Sequence, residues 1–164
     1  MTRQLSTFEG PAIHIALRFS DTLTAVDTIK THQKLIAELG YVWIGKMGKS
    51  LADAHVKRIN GQCKRGVKTY LILVQKLKTG YDVYSGRIAQ IARDLPEAAK
   101  RHVPRYYDEK EITKYMRLWA KLTALKKVGP EYLSKFRLVA SGMILSQTLP
   151  RSMAALFIVQ RAAR

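Results

Sequence analysis

Between Gly40 and Gly66 the sequence sets aromatic, glycine and basic residues in an order that suits a polyanionic ligand. Tyr41, Val42, Trp43 and Ile44 predict a short strand, and Gly45, Lys46, Met47, Gly48 and Lys49 predict a turn that ends it. Ser50 then reads as a helix N-cap with Asp53 closing a capping box, and Gly61 as the end of that helix soon after Ile59. A helix N-terminus beside Lys46 and Lys49 favours an anion. An exposed Tyr41 or Trp43 would offer a face on which a base can stack.

Other chemistries lack their constellations. Asp53 and His55 are two apart on a helix and diverge. Asp108, Glu109 and Glu111 form the densest acidic group, the one place where a nuclease would hold Mg²⁺, but Lys110 and Lys114 interleave. His14, His32, His55 and His102 fall in four separate segments without ligand spacing, so no metal site is expected, and His32 is expected to face solvent. Gly45 to Ser50 ends in Gly-Lys-Ser but lacks the first glycine of a phosphate-binding loop, and no dinucleotide fingerprint or nucleophile elbow is present. The single cysteine, Cys63, excludes an internal disulfide; Lys64 and Arg65 beside it would lower a thiol pKa. No cofactor is implied.

The chain has 164 residues, 47% of them hydrophobic, which is enough for one domain with a real core. Against 29 Lys plus Arg stand 12 Asp plus Glu, a formal charge of +17. That excess repels itself in a compact monomer and is best understood with a polyanionic partner, nucleic acid first. The charge is spread along the chain rather than concentrated in one amphipathic helix, which speaks against a membrane surface. With no apolar leader at the N-terminus and no run of membrane-spanning length, a cytoplasmic location is expected.

The elements that must position these residues follow from periodicity. Pro11 to Phe19 alternates as a strand, and Thr22 to Leu39 has helical spacing ended by Gly40. Val67 to Leu77 and Tyr81 to Ala92 predict an antiparallel hairpin turning at Lys78-Thr79-Gly80, with Gly86 marking a bulge or bend. Leu95 to Arg105 is a Pro-bounded excursion, followed by a Trp119 to Val128 strand and a short helix opening at Pro130. Ser141-Gly142 is a turn, Ser146 to Pro150 a loop and Met153 to Gln160 a closing strand. The class is α+β, a small curled β-barrel or strongly bent mixed sheet with flanking helices.

The order of parts resembles the PUA-like superfamily, nearest its EVE and YTH-type domains. The matching pieces are Tyr41 to Gly45, Gly66 to Leu77, Tyr84 to Ile88, Pro104 to Tyr107, Trp119 to Leu122 and Ser141-Gly142. On this likeness residues 40–160 are the core of a single domain spanning 1–164, and residues 1–39 an N-terminal strand and helix added to it. The resemblance implies a domain without catalysis of its own, in which aromatic side chains grip an unstacked or modified base while basic ones hold the backbone. Carried over, Tyr41, Trp43, Tyr106, Tyr107 and Trp119 would form the pocket, and Lys46, Lys49, Lys57, Arg58, Lys64, Arg65 and Arg105 would contact phosphates.

Three functions remain side by side. The first is a nucleic-acid-binding module, with single strands or RNA preferred to duplex because aromatic residues accompany the basic ones and no recognition helix stands out; modified DNA also fits. The second is a metal-dependent nuclease using the acids at 108–111. The third is a small phage or mobile-element inhibitor with a protein partner.

Overall fold

The computed structural model describes residues 10–22 and 24–162. Among the described residues seven strands are formed: β1 (Ile13–Phe19), β2 (Val42–Met47), β3 (Tyr70–Lys76), β4 (Tyr81–Ala92), β5 (Met116–Val128), β6 (Phe136–Leu138) and β7 (Leu156–Arg161). They make one sheet in the order β2-β5-β4-β3-β1-β7-β6. Only β1 and β3 run parallel, with Ile15 opposite Leu71; the other neighbours are antiparallel. The ladder ends at β2 and β6, so the sheet is curled but open, a bent mixed sheet rather than a barrel. Four α-helices accompany it, α1 (Thr28–Leu39), α2 (Asp53–Lys64), α3 (Tyr106–Glu109) and α4 (Leu145–Thr148), together with short 3-10 turns. The class is α+β.

Alternation along the strands divides the apolar residues between two faces. Ile13, Ile15 and Leu17 of β1 join Leu71 and Leu73 of β3 and Leu118, Ala120 and Leu122 of β5 in a main core, closed by Ile29 of α1 and Ile59 of α2. On the opposite face, Ala16, Ile72, Val74, Phe157 and Val159 pack beneath Leu133, Phe136, Leu145 and Leu149. A third cluster joins Trp43 of β2 and Trp119 of β5 to Ala99, Tyr106, Tyr107 and Met116.

Several elements form where local pattern asks for them. Asp27 accepts from the Lys30 N–H as the N-cap of α1, and Gly40 ends it at φ 89°, a left-handed conformation that glycine alone adopts freely. The helix therefore starts after Asp27 rather than at Thr22. Gly80 turns the β3–β4 hairpin, and the β4–β5 register shifts beside Gly86, where the strand was expected to bend.

Other elements depart from the sequence expectation. β2 does not stop at Ile44 but runs to Met47, because β5 supplies a partner from Leu122 to Met116, with one register shift between Lys46 and Met47. The N-cap of α2 is Ala52, not Ser50; Asp53 pairs instead with Arg93, and Gly61 lies inside the helix, which ends at Lys64. Residues Ser146 to Pro150 form α4 and a 3-10 turn instead of a loop. β1 is no addition to a core that begins at residue 40: it lies between β3 and β7 and contributes to both faces.

His32 is fully buried, not solvent-facing, because it continues the inward stripe of α1 from Ile29. Its Nδ1–H donates to the Thr28 carbonyl at 2.6 Å, which leaves Nε2 to accept from the Tyr107 hydroxyl at 3.2 Å. Burial pushes its pKa down to about 4, against the opposing pull of the Thr28 carbonyl and Asp21.

Two outcomes follow. The folded state disfavours protonated His32 while the unfolded chain titrates it near 6.5, so stability is complete above that pH and is lost as pH falls toward 4. Unfolding free energies from urea melts should drop between pH 7.5 and 5, before most carboxylates titrate, by about 2 kcal/mol for His32 and by a similar amount for His14, whose pKa burial and Arg161 also hold down to about 4. His32→Gln should remove the first share, and a profile that is flat, or unchanged by that variant, would refute the neutral His32. Second, Trp119→Ala, deleting a side chain that is 2% exposed, should cost about 3–5 kcal/mol in the same assay.

Candidate nucleic-acid interface

Because the sheet does not close, the end of edge strand β2 faces the end of β1 and the start of β7 across a slit. Two adjoining cavities occupy it. One, of about 220 Å³, is lined by Arg18, Phe19, Ser20, Thr24, Thr28, Gly45, Tyr106, Tyr107 and Met116 among others. The other, of about 550 Å³, lies between Lys46 to Ala52 with His55 on one side and Ala154 to Leu156 with Ile158 on the other. Lys46, Met47 and Ala155 line both.

The slit is braced by one hydroxyl. Tyr107 Oη accepts from the Gly45 N–H at 3.0 Å while donating to His32, and so ties α3 to both β2 and α1. Burial raises its pKa well above the usual phenol value. Gly45 is required here by space: a Cβ would come within 2.8 Å of Met116 and 2.9 Å of Trp119.

The polar lining is unusual in one respect. Among the described residues, three buried side-chain polar atoms have no partner: Arg18 Nε, Thr24 Oγ1 and Ser50 Oγ. All three belong to residues lining these two cavities. Buried polar atoms are nearly always satisfied, and each left unmet costs about 1–3 kcal/mol. Ser50 is free because α2 takes Ala52 as its cap. The sequence signalled Ser50 as a capping residue only, and nothing in it pointed to Thr24, Arg18 or Phe19.

The expected aromatic residues do come together, but as core. Trp43, Tyr106, Tyr107 and Trp119 share one buried cluster, and of the five only Tyr106 and Tyr107 also line the slit. Tyr41 packs against that cluster with both ring faces taken, by His102 stacked at 3.7 Å and by the Lys121 ammonium at 4.1 Å. No cage of exposed aromatic faces is formed by them, because the segment from Glu97 to Glu109 covers this side of the sheet.

The expected phosphate contacts separate into three places. Lys46 and Lys49 stand at the slit. Lys46 donates to the Met47 carbonyl at 2.7 Å, and its partial burial lowers its pKa. Lys57, Arg58, Lys64 and Arg65 lie along α2 and its end, where Arg58 donates to the Pro11 carbonyl. Arg105 lines a separate hollow with Lys34 and Arg101. Cys63 has its thiol pKa raised by burial, the reverse of the shift expected from Lys64 and Arg65. Asp108 accepts from the Thr113 hydroxyl, and among the described residues no three His, Cys, Asp or Glu side chains gather as a metal site requires.

No described helix is long and apolar enough to cross a membrane. No curated protein and no solved structure matches the chain. A family model described as Pua-like matches residues 15–151, starting inside β1 and including both long helices and the β2 side of the slit, while the β7 side, Ala154 to Ile158, lies beyond it. That span is most of the sequence and contains the sheet from β1 through β6, and on it the chain belongs to the Pua-like family.

Proposed function

We propose that this protein is a non-catalytic nucleic-acid-binding module in which the slit beside β2 accepts one unstacked base. The carrying observation is that the three unpartnered buried polar atoms all belong to residues lining the two slit cavities. A base edge offers donors and acceptors that would satisfy them. The larger cavity has the volume of a small-ligand site, roughly 300–1,000 Å³. Phe19, Tyr106, Tyr107 and Met116 supply apolar surface and Thr24 a hydroxyl in the smaller cavity, Ser50 supplies a hydroxyl in the larger, and a base seated across their shared wall of Lys46, Met47 and Ala155 would have its edge read by both.

Lys46 and Lys49 hold the phosphates at the mouth, and the remaining positive charge, within a total of +17, draws the polyanion in. Membership of a family whose domains commonly bind RNA or other nucleic acid supports the same reading. The likeness to EVE and YTH-type domains suggests that a modified base is what the slit distinguishes. Single strands and RNA are favoured over duplex, since their bases reach a slit without unpairing.

The absence of catalysis is part of the proposal, and the acids support it by the work they already do. Asp21 accepts from Thr28, Asp27 caps α1, Asp53 pairs with Arg93, Asp82 with Lys127, and Asp108 accepts from Thr113.

The test is fluorescence anisotropy with single-stranded RNA, single-stranded DNA and duplex DNA, plain and base-modified, across a salt series. Affinity should fall steeply with salt, and Lys46→Gln and Lys49→Gln should each flatten the logarithmic slope by about 0.7 for a single strand. Thr24→Val and Ser50→Ala should leave the slope and the fold intact, hold or raise stability, and lower affinity for the preferred ligand roughly threefold to tenfold. Equal binding of all ligands, unchanged by those two variants, would overturn the base-reading slit.

A further inference from the structure

At the other end of β1 and β7, on the opposite face of the sheet, lies a hollow of about 390 Å³ that the slit does not use. Strand register builds it. Lys126 of β5 stands opposite Ser85 of β4, Ser85 stands opposite Ile72 of β3, and Tyr70 is two residues from Ile72, so all share one face. Arg161 reaches that face from β7, two residues beyond the inward Val159, and Tyr132 and Lys135 overhang it from the 3-10 turn Pro130–Lys135. Ala155, at the slit, and Arg161, at the hollow, are six residues apart, roughly 20 Å along the strand.

Two of the charges at this hollow are held by aromatic rings, and none of the three is neutralised by a described carboxylate. The Arg161 guanidinium lies over the Tyr70 ring at 5.9 Å and the Phe136 ring at 5.3 Å, and the Lys135 ammonium over Tyr132 at 5.6 Å. Among the described residues no carboxylate lies within ion-pair distance of Lys126, Lys135 or Arg161. Glu131 is the one acid in the lining, and its carboxylate is folded over Gly129, filling the space a Cβ would take there. Buried Ser85 supplies a hydroxyl at the floor, 3.3 Å from the Tyr132 hydroxyl.

We propose that this hollow is a second anion site, specific for a phosphate group and separate from the slit. Three cations and two hydroxyls around one concavity match the several acceptor oxygens of a phosphate, and aromatic contacts pre-orient two of the cations, Arg161 and Lys135, so that less freedom is lost on binding. The phosphate comes from the end of a nucleic-acid strand or from a free nucleotide, which share this chemistry. With two sites roughly 20 Å apart, one chain could engage two segments of a strand at once.

His14 is a built-in reporter. Its ring lies 5.4 Å from Tyr70 and 5.6 Å from Phe136, the two rings that carry Arg161, and its Nδ1 accepts from the Tyr70 N–H. Burial and then the Arg161 charge hold its pKa down to about 4. An anion beside Arg161 would offset the second influence. His55 lines the slit and reports on that site instead.

The experiment follows the histidine ring signals of the full chain by NMR during titration with inorganic phosphate, a mononucleotide, and short single strands with and without a terminal phosphate, against chloride at matched ionic strength. The expected result is a saturable shift of His14 with inorganic phosphate and with at least one of the other phosphate-bearing probes, its pKa rising on saturation. The paired variant Lys126→Gln with Lys135→Gln, at exposed positions, should weaken that binding roughly tenfold, and Glu131→Gln should tighten it. The arms with and without a terminal phosphate, beside the mononucleotide, then distinguish strand end from free nucleotide, and either satisfies the proposal. A His14 signal that stays still, that moves no more than in chloride, or that is unmoved while His55 responds would overturn it.

Discussion

The slit depends on the hydroxyl of Tyr107. A sheet that ends on β2 leaves that edge without a strand partner on one side, and an unpaired edge is a place where a fold frays or aggregates. Tyr107 Oη takes the Gly45 N–H as a neighbouring strand would, and donates a hydrogen bond to His32, whose other nitrogen is committed to Thr28. Each donor in this chain meets one acceptor, which fixes the histidine tautomer and allows a titratable group to be buried without charge. The same chain joins α1, β2 and α3, the parts that bound the smaller cavity, so its geometry sets the cavity's width.

Charge acts on a different scale from this local bracing. The 29 basic side chains outnumber the 12 acids and leave +17, and several of those acids are engaged in caps and in pairs exposed to solvent. Pairs of that kind contribute little stability, so they neither offset the self-repulsion nor explain the composition. The basic side chains at the slit, along α2 and at the hollow beside Arg161 lie in separate places, which suits a long polyanion passing over several faces better than one small ligand.

What was legible in the sequence was what local pattern decides. The alternation of β1, the turn at Gly80, the bend beside Gly86 and the Gly40 end of α1 need only a few residues of context, whereas the start of α1 at Asp27 rather than Thr22 was not read. What was not legible depends on partners far along the chain. β2 continues through Gly45 because β5 lies beside it, the burial of His32 is completed by a residue 75 positions away, and Asp53 is drawn from its capping role by Arg93, 40 positions away. The aromatic residues illustrate the limit most clearly. Their presence in one cluster could be read from the family likeness, but whether such a cluster is a cage or a core depends on what covers that face, here the segment from Glu97 to Glu109.

That covering also explains why the unmet polar groups lie elsewhere. A side chain in a satisfied, close-packed cluster such as Trp43 and Trp119 has no capacity left for a ligand. Capacity exists where folding left an atom unmet, and folding tolerates that only where the rest of the structure over-determines the position. Thr24 sits before the cap of α1 in a turn closed by the Ala25 N–H on the Asp21 carbonyl, Ser50 precedes α2 at a point fixed by the Arg93 contacts to Leu51 and Asp53, and Arg18 is anchored through Nη2 to the Leu149 and Ser152 carbonyls. Each unmet atom is thus held by a neighbour that is fully bonded. Rigid surroundings with unmet polar atoms make a selective site, because a ligand gains every bond without first ordering the protein.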